Sequence, residues 1–170
     1  MSAQKVRLMA FDVDGIFTDG TLYYSADGDV LKVFNILDGL GLKLLQKAGI
    51  LTAIITGRTS PMVEQRFTEL DVDFIMQGRD DKRQAILELA TKLKFKQKDL
   101  GYMGDDFPDL MTLEVVGFFA SVPNAPCQVQ EKATFLTNSL GGHGAVRELC
   151  EHLITAQGFD PLELYQGEFV

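Results

Sequence analysis

The chain sets an apolar run, Val6-Arg7-Leu8-Met9-Ala10-Phe11, directly against Asp12-Val13-Asp14-Gly15. The run has the length and composition of a strand buried on both faces of a parallel sheet, ended by acids and a glycine. Open α/β sheets place their chemistry at the carboxyl ends of strands, so two carboxyls at such an end stand where a reaction can be run. Side chains two apart on a strand share a face, and a loop turning after Asp12 can aim both at one centre. Grouped carboxylates repel each other and lose hydration, so they require a proton or a cation. Read alone, the pair equally suits the capping of a turn.

Further apolar runs alternate with amphipathic patterns. Strands are expected at Val6–Phe11, Leu51–Ile55, Phe74–Met76, Leu100–Met103, Gly117–Ser121 and Thr134–Leu136. Helices are expected near Gly39–Ala48, Pro61–Leu70, Lys82–Leu93, Pro108–Glu114 and Ala145–Gln157. This alternation predicts an α/β fold, doubly wound, with a mainly parallel sheet covered on both faces. No internal repeat or linker divides residues 1–170, which suit a single domain with a full core. One segment departs from the rhythm. Thr21–Tyr24 and Val30–Phe34 flank Ser25–Asp29 and read as a β-hairpin with an Asp-Gly turn, an insert over about residues 20–34. An isolated hairpin is marginal in water, so Leu22, Tyr24, Val30, Val33 and Phe34 need a surface, either their own domain or a neighbouring subunit.

Composition excludes several classes. A formal charge of −8 with no Lys/Arg block argues against a nucleic-acid partner. No stretch approaches the length of a membrane span and no signal-peptide core opens the chain, which reads as cytoplasmic. Cys127 and Cys150 lack metal-site spacing and read as reduced core thiols.

Three more element ends add to the first. Thr56-Gly57-Arg58 ends the second strand with a hydroxyl, exposed backbone N–H groups and a guanidinium, donors suited to phosphate oxygens. Lys82 opens the third helix, where the dipole also favours an anion. Gly104-Asp105-Asp106-Phe107-Pro108-Asp109 ends the fourth major strand with a second acid cluster. Singly these suit a turn, a solvated lysine and a helix cap; together they suit phosphoryl transfer. A carboxylate attacks phosphorus, Mg²⁺ lets two anions approach, and the hydroxyl, N–H groups and lysine hold the equatorial oxygens.

In this order the four segments resemble the motifs of the haloacid dehalogenase superfamily of phosphohydrolases. The resemblance implies a Rossmann-like core and a phosphomonoester hydrolase working through an aspartyl-phosphate. Asp12 matches the nucleophile, and Asp14 the general acid/base. Thr56, Gly57 and Lys82 match the phosphate binders. Asp12, Asp14 (through its carbonyl) and Asp105 match the Mg²⁺ ligands. Asp109 would support them, and Asp106 is open between the two roles. Members usually insert a cap domain, but neither gap between motifs has room for one. Lys32-Val33-Phe34-Asn35, Asp38-Gly39 and Gly141-Gly142-His143-Gly144-Ala145-Val146-Arg147-Glu148 extend the likeness to the capless KDO 8-phosphate phosphatases, where KDO is 3-deoxy-D-manno-octulosonate. His143 stands where that family commonly carries Arg or Lys. The family implies a homotetramer built on the hairpins, with a neighbour's C-terminal tail (here about residues 158–170) able to cover the site. It implies a phosphorylated sugar acid of lipopolysaccharide synthesis as substrate, with Arg58, Arg66 and Lys32 as candidates for its second anion. Nonulosonate 9-phosphates or a broader set of sugar phosphates are the alternatives. A receiver-type signalling module fits less well, because its acids are adjacent and its phosphorylated Asp follows the third strand. An idle assembly domain fits poorly with a full set of acids, Thr and Lys.

Overall fold

The computed structural model describes residues 3–26 and 28–167. Strand β1 (Leu8–Phe11) leads to hairpin strands β2 (Tyr23–Ser25) and β3 (Gly28–Leu31), helix α1 (Ile36–Lys47), β4 (Leu51–Ile55) and α2 (Pro61–Glu69). There follow β5 (Phe74–Met76), α3 (Lys82–Leu93), β6 (Leu100–Met103), α4 (Phe107–Leu110) and β7 (Phe118–Ser121). Helix α5 (Cys127–Gln130), β8 (Phe135–Leu136), α6 (Ala145–Ala156) and α7 (Pro161–Gln166) complete the order.

Six strands form one parallel sheet in the order β5-β4-β1-β6-β7-β8. All of β1 is buried, as its unbroken apolar run requires when both faces are covered. Phe11 pairs with Ile54 on one side and Met103 on the other. That register sets the residues just past each strand, Asp12, Thr56 and Asp105, side by side at the sheet's carboxyl edge. The connections run outward from β1 in both directions, so this edge is also the topological switch point.

Local chemistry explains where the elements depart from the expected bounds. Helix α1 starts at Ile36 rather than Gly39, because the Asn35 side chain caps it by accepting from Leu37 N at 2.9 Å. The expected helix over Pro108–Glu114 splits into α4 and a 3₁₀ turn at Met111–Glu114. Helices α5 and α7 are too short to show periodicity. Helix α7 takes its start from Asp160, whose side chain accepts from Leu162 N and Glu163 N, with Pro161 in the first turn. It packs on α1 and α6 of its own chain. Residues 168–170, the end of the expected tail, and Asp27, half of the expected turn, lie outside the described residues. Cys150 is buried as expected, but Cys127 is exposed at the start of α5 rather than in the core. No helix among the described residues is long and apolar enough to cross a membrane.

Between β1 and β4 the chain holds only the hairpin and α1, and between β4 and α3 only α2 and β5. Among the described residues no cap stands over the carboxyl edge.

Candidate active site

Asp12, Asp14, Thr56, Gly57, Arg58, Lys82, Asp105, Asp106, Pro108 and Asp109 line one cleft of about 210 Å³ at that edge. Larger grooves of about 600 and 330 Å³ lie along α1 over Leu40 and Leu44. Their acids are each taken by a neighbour, Asp71 by Lys43, Glu151 by Arg147 and Asp160 by the N–H groups of Leu162 and Glu163, so the chemistry belongs to the smaller cleft.

Asp12 is only 8% exposed. Its Oδ1 accepts from Val13 N at 2.7 Å, and its Oδ2 faces Lys82 Nζ at 2.8 Å. Lys82 Nζ also donates to Asp109 Oδ1 at 2.6 Å. Burial pulls the Lys82 pKa down, but the charges of Asp12 and Asp109 outweigh it, and the ammonium is held above its ordinary value. Asp109 is wholly buried with both oxygens engaged. Oδ1 takes Lys82 and the Tyr102 hydroxyl (2.8 Å), and Oδ2 takes the N–H groups of Asp105 (3.0 Å) and Asp106 (3.1 Å). Asp109 thus orients the lysine and the acid loop together.

Asp105 is different. Its Oδ1 is buried with no hydrogen-bond partner. Burial, then the charges of Asp109 and Asp12, push its carboxyl up to about 7. Burial and Asp109 raise Asp12 to about 6 against the pull of Lys82. Each of Asp12, Asp105 and Asp109 has an oxygen within 4.8 Å of the others. Each Asp109 oxygen already accepts twice, whereas each Asp12 oxygen has one partner and Asp105 Oδ1 has none, so Asp12 and Asp105 are the pair with capacity left to meet a cation. An all-oxygen set short of positive charge suits a hard divalent ion such as Mg²⁺. Gly15 makes the close packing possible: its φ is +89°, and a Cβ there would stand 2.0 Å from Asp105 Oδ2.

Asp14 faces the mouth of the cleft. Its carboxylate is paired with Lys32 Nζ, just past β3, and Arg58 Nε stands 3.8 Å from its Oδ2. Arg58 Nη2 in turn donates to the Tyr24 hydroxyl at 2.7 Å. The hairpin therefore folds back onto its own site, while Leu22, Val30, Leu31 and Val33 remain exposed on it. Of the candidates named from sequence, Arg66 alone is not brought to the cleft. Its guanidinium packs against α1 at Gly39 and reaches Glu69 at 3.9 Å.

Sequence reasoning missed the support beneath Gly15. A Cβ on Gly141 would lie 1.7 Å from the Gly15 carbonyl oxygen, so only a glycine lets the two backbones touch. Gly142 N donates to Ile16 O at 2.9 Å, and Asn35 Nδ2 reaches Gly142 O at 3.3 Å. Asp38 Oδ1 accepts from Arg147 N in the first turn of α6 at 2.9 Å. The Gly-Gly signal was visible, but as a turn. What it touches lies at the other end of the chain. His143 is exposed and stands near Asp19 and Asp38.

Among known families, the chain matches the haloacid dehalogenase-like hydrolases over residues 74–149. The 3-deoxy-D-manno-octulosonate 8-phosphate phosphatase KdsC of Escherichia coli is 38% identical over 156 residues, covering 92% of this chain and 83% of that protein. The chain belongs to this phosphatase family. The corresponding phosphatase of Moraxella catarrhalis, solved with magnesium ion, phosphate ion and KDO, is 42% identical with a TM-score of 0.91 over 99% of this chain and 95% of that one. The cobalt-bound phosphatase of Haemophilus influenzae is 32% identical with a TM-score of 0.91, covering 97% and 99%. The protein is thus a haloacid dehalogenase-type phosphatase of Rossmann-like α/β fold, with Mg²⁺ the cofactor its acids fit.

Proposed function

We propose that the protein hydrolyses KDO 8-phosphate to KDO and inorganic phosphate in lipopolysaccharide precursor synthesis, as a single cytoplasmic domain assembled into a homotetramer. One observation carries the reading: Asp12 is held against Lys82 and faces the unpartnered Asp105 oxygen, in the fold of an enzyme solved with magnesium, phosphate and KDO.

Asp12, Asp105 and the Asp14 carbonyl would hold Mg²⁺, which when bound neutralises phosphate oxygens and lets the two anions approach. A carboxylate oxygen of Asp12 attacks phosphorus and the bond to the sugar oxygen breaks. Asp14 gives its proton to that departing oxygen. Asp14 then takes a proton from water, whose oxygen attacks phosphorus and frees Asp12 and inorganic phosphate. Thr56, Gly57 and Lys82 hold the equatorial oxygens, where charge is greatest in the transition state. Arg58 and Lys32 bear on the sugar acid's carboxylate. Arg66 packs away from the cleft and is left out of this set. The exposed apolar residues of the hairpin, continued by Ile36 and Leu37 of α1, support the tetramer.

A phosphate-release screen with KDO 8-phosphate, nonulosonate 9-phosphates and hexose phosphates tests the substrate. Clear preference for the first is expected, and comparable rates on all three would overturn the assignment. Asp12→Asn should abolish turnover and leave the oligomer intact; retained activity would displace Asp12 as nucleophile.

A further inference from the structure

Two cations line the cleft among the described residues, Lys82 and Arg58. Lys82 is buried at the inner end, between Asp12 and Asp109. Arg58 stands at the mouth, with 38% of its side chain exposed. Its position is set from outside its own loop. Nη2 donates to the Tyr24 hydroxyl at 2.7 Å, and the guanidinium carbon is 5.8 Å from the centre of the Tyr24 ring. Tyr24 belongs to β2, while Lys32, just past β3, pairs with Asp14. The two arms of the hairpin thus meet the mouth at two separate points.

A phenol oxygen that accepts from a guanidinium still has its own O–H to donate. Arg58 and Tyr24 therefore set a cation and a neutral donor side by side, a combination that suits a carboxylate. A substrate with its phosphorus at Asp12 and a second anion elsewhere would bring that anion toward this pair. Among the described residues no cap covers the sheet edge, and the hairpin is an inserted element in reach of that anion.

We propose that Tyr24 is a specificity-determining residue, whose hydroxyl donates to the carboxylate of a sugar-acid phosphate while holding Arg58 against the same group. The proposal rests on the carboxylate-bearing substrate assigned above. It concerns choice between substrates, since neither group touches the phosphorus.

Tyr24→Phe removes the oxygen and keeps the ring. The experiment measures kcat/KM for KDO 8-phosphate and for a neutral hexose 6-phosphate on one preparation, so that any loss of folded enzyme cancels in the ratio. The ratio should fall about tenfold or more, the factor carried by one hydrogen bond to a charged group. The change should lie in KM for the sugar-acid phosphate more than in kcat. Arg58→Lys should lower the same ratio, because an ammonium cannot hold the phenol and the carboxylate with one planar fork. The double variant should then fall short of the product of the two losses. A Tyr24→Phe ratio within twofold of wild type would overturn the role of Tyr24. A wild-type enzyme with no preference for the sugar-acid phosphate would overturn the substrate assignment, and the role of Tyr24 with it.

Discussion

Gly141→Ala tests whether the catalytic turn is held from behind. The new methyl would begin 1.7 Å from the Gly15 carbonyl oxygen, whereas real Cβ contacts essentially never fall under 3.0 Å, so the turn must move by at least about 1.3 Å (3.0 − 1.7). It has little room, since Gly15 already packs against the Asp105 carboxylate on its other side. Asp14 is the residue before it and moves with the turn. A misplacement of about 1 Å costs on the order of 10²-fold in rate, so kcat should drop about a hundredfold. Overpacking should also cost about 1–3 kcal/mol of stability. Steady-state phosphate release at saturating Mg²⁺ gives the first quantity, and urea unfolding the second. Gly49→Ala is the control. It also carries a positive φ, +83°, but has nothing within 4 Å of the added carbon. It should lose about 1 kcal/mol of stability from backbone strain and keep its kcat. If Gly141→Ala kept kcat within threefold of wild type while losing stability, the Gly15 turn would be shown to yield without moving Asp14, and the buttress would have no catalytic meaning.

Lys82→Met leaves Asp12 and Asp109 without their shared cation and should cost about 3–5 kcal/mol in EDTA at pH 8, as breaking a buried ion pair does. The deficit should shrink at pH 5, where carboxyls with pKa values of about 6 and 7 take up protons; urea midpoints at both values check this. In the wild-type protein Asp12 and Asp105 have raised pKa values, so the folded state binds more protons than the unfolded one between about pH 4 and pH 7. Stability in EDTA should therefore fall as pH rises through that window, and Mg²⁺ should restore it most at the upper end; a thermal melt series with and without the ion reads both. Asp38→Ala removes the acceptor at the first turn of α6 and should lower stability by about 1–2 kcal/mol in urea unfolding, with an unchanged midpoint counting against the cap.

The parts legible in the sequence are those governed by short-range pattern. The all-buried β1 announced itself as an apolar run, and the acids, hydroxyl and lysine at its neighbours' ends declared the cleft. Parallel pairing then had to bring those ends together, because each strand leaves the sheet at the same edge. For Asp109 the family resemblance implied a supporting role, and the structure turns its carboxylate back to the N–H groups of Asp105 and Asp106. What escaped were contacts between distant segments. Nothing near Gly141 says that it touches Gly15, and nothing near Tyr24 says that its hydroxyl meets Arg58. Arg66 sits at helical spacing that admits either face, and packing on Gly39 decides for the one away from the cleft. Helices α5 and α7 escaped for a different reason: one turn offers no period to count.

The place of β1 between β4 and β6 also bears on how the site comes into being. The strand is made early, yet its second neighbour, β6, lies some ninety residues later in the chain. Asp12 and Lys82 can meet before that strand arrives, but Asp105 and Asp109 cannot. Such non-local pairing is slow and exposes the strand's open edge meanwhile. A chain emerging during synthesis thus carries a buried lysine's partner half assembled, and the ion-binding pocket closes only when the sheet does. Divalent-ion affinity is for that reason a late marker of folding, one that a nascent or stalled chain ending before Leu100 would lack.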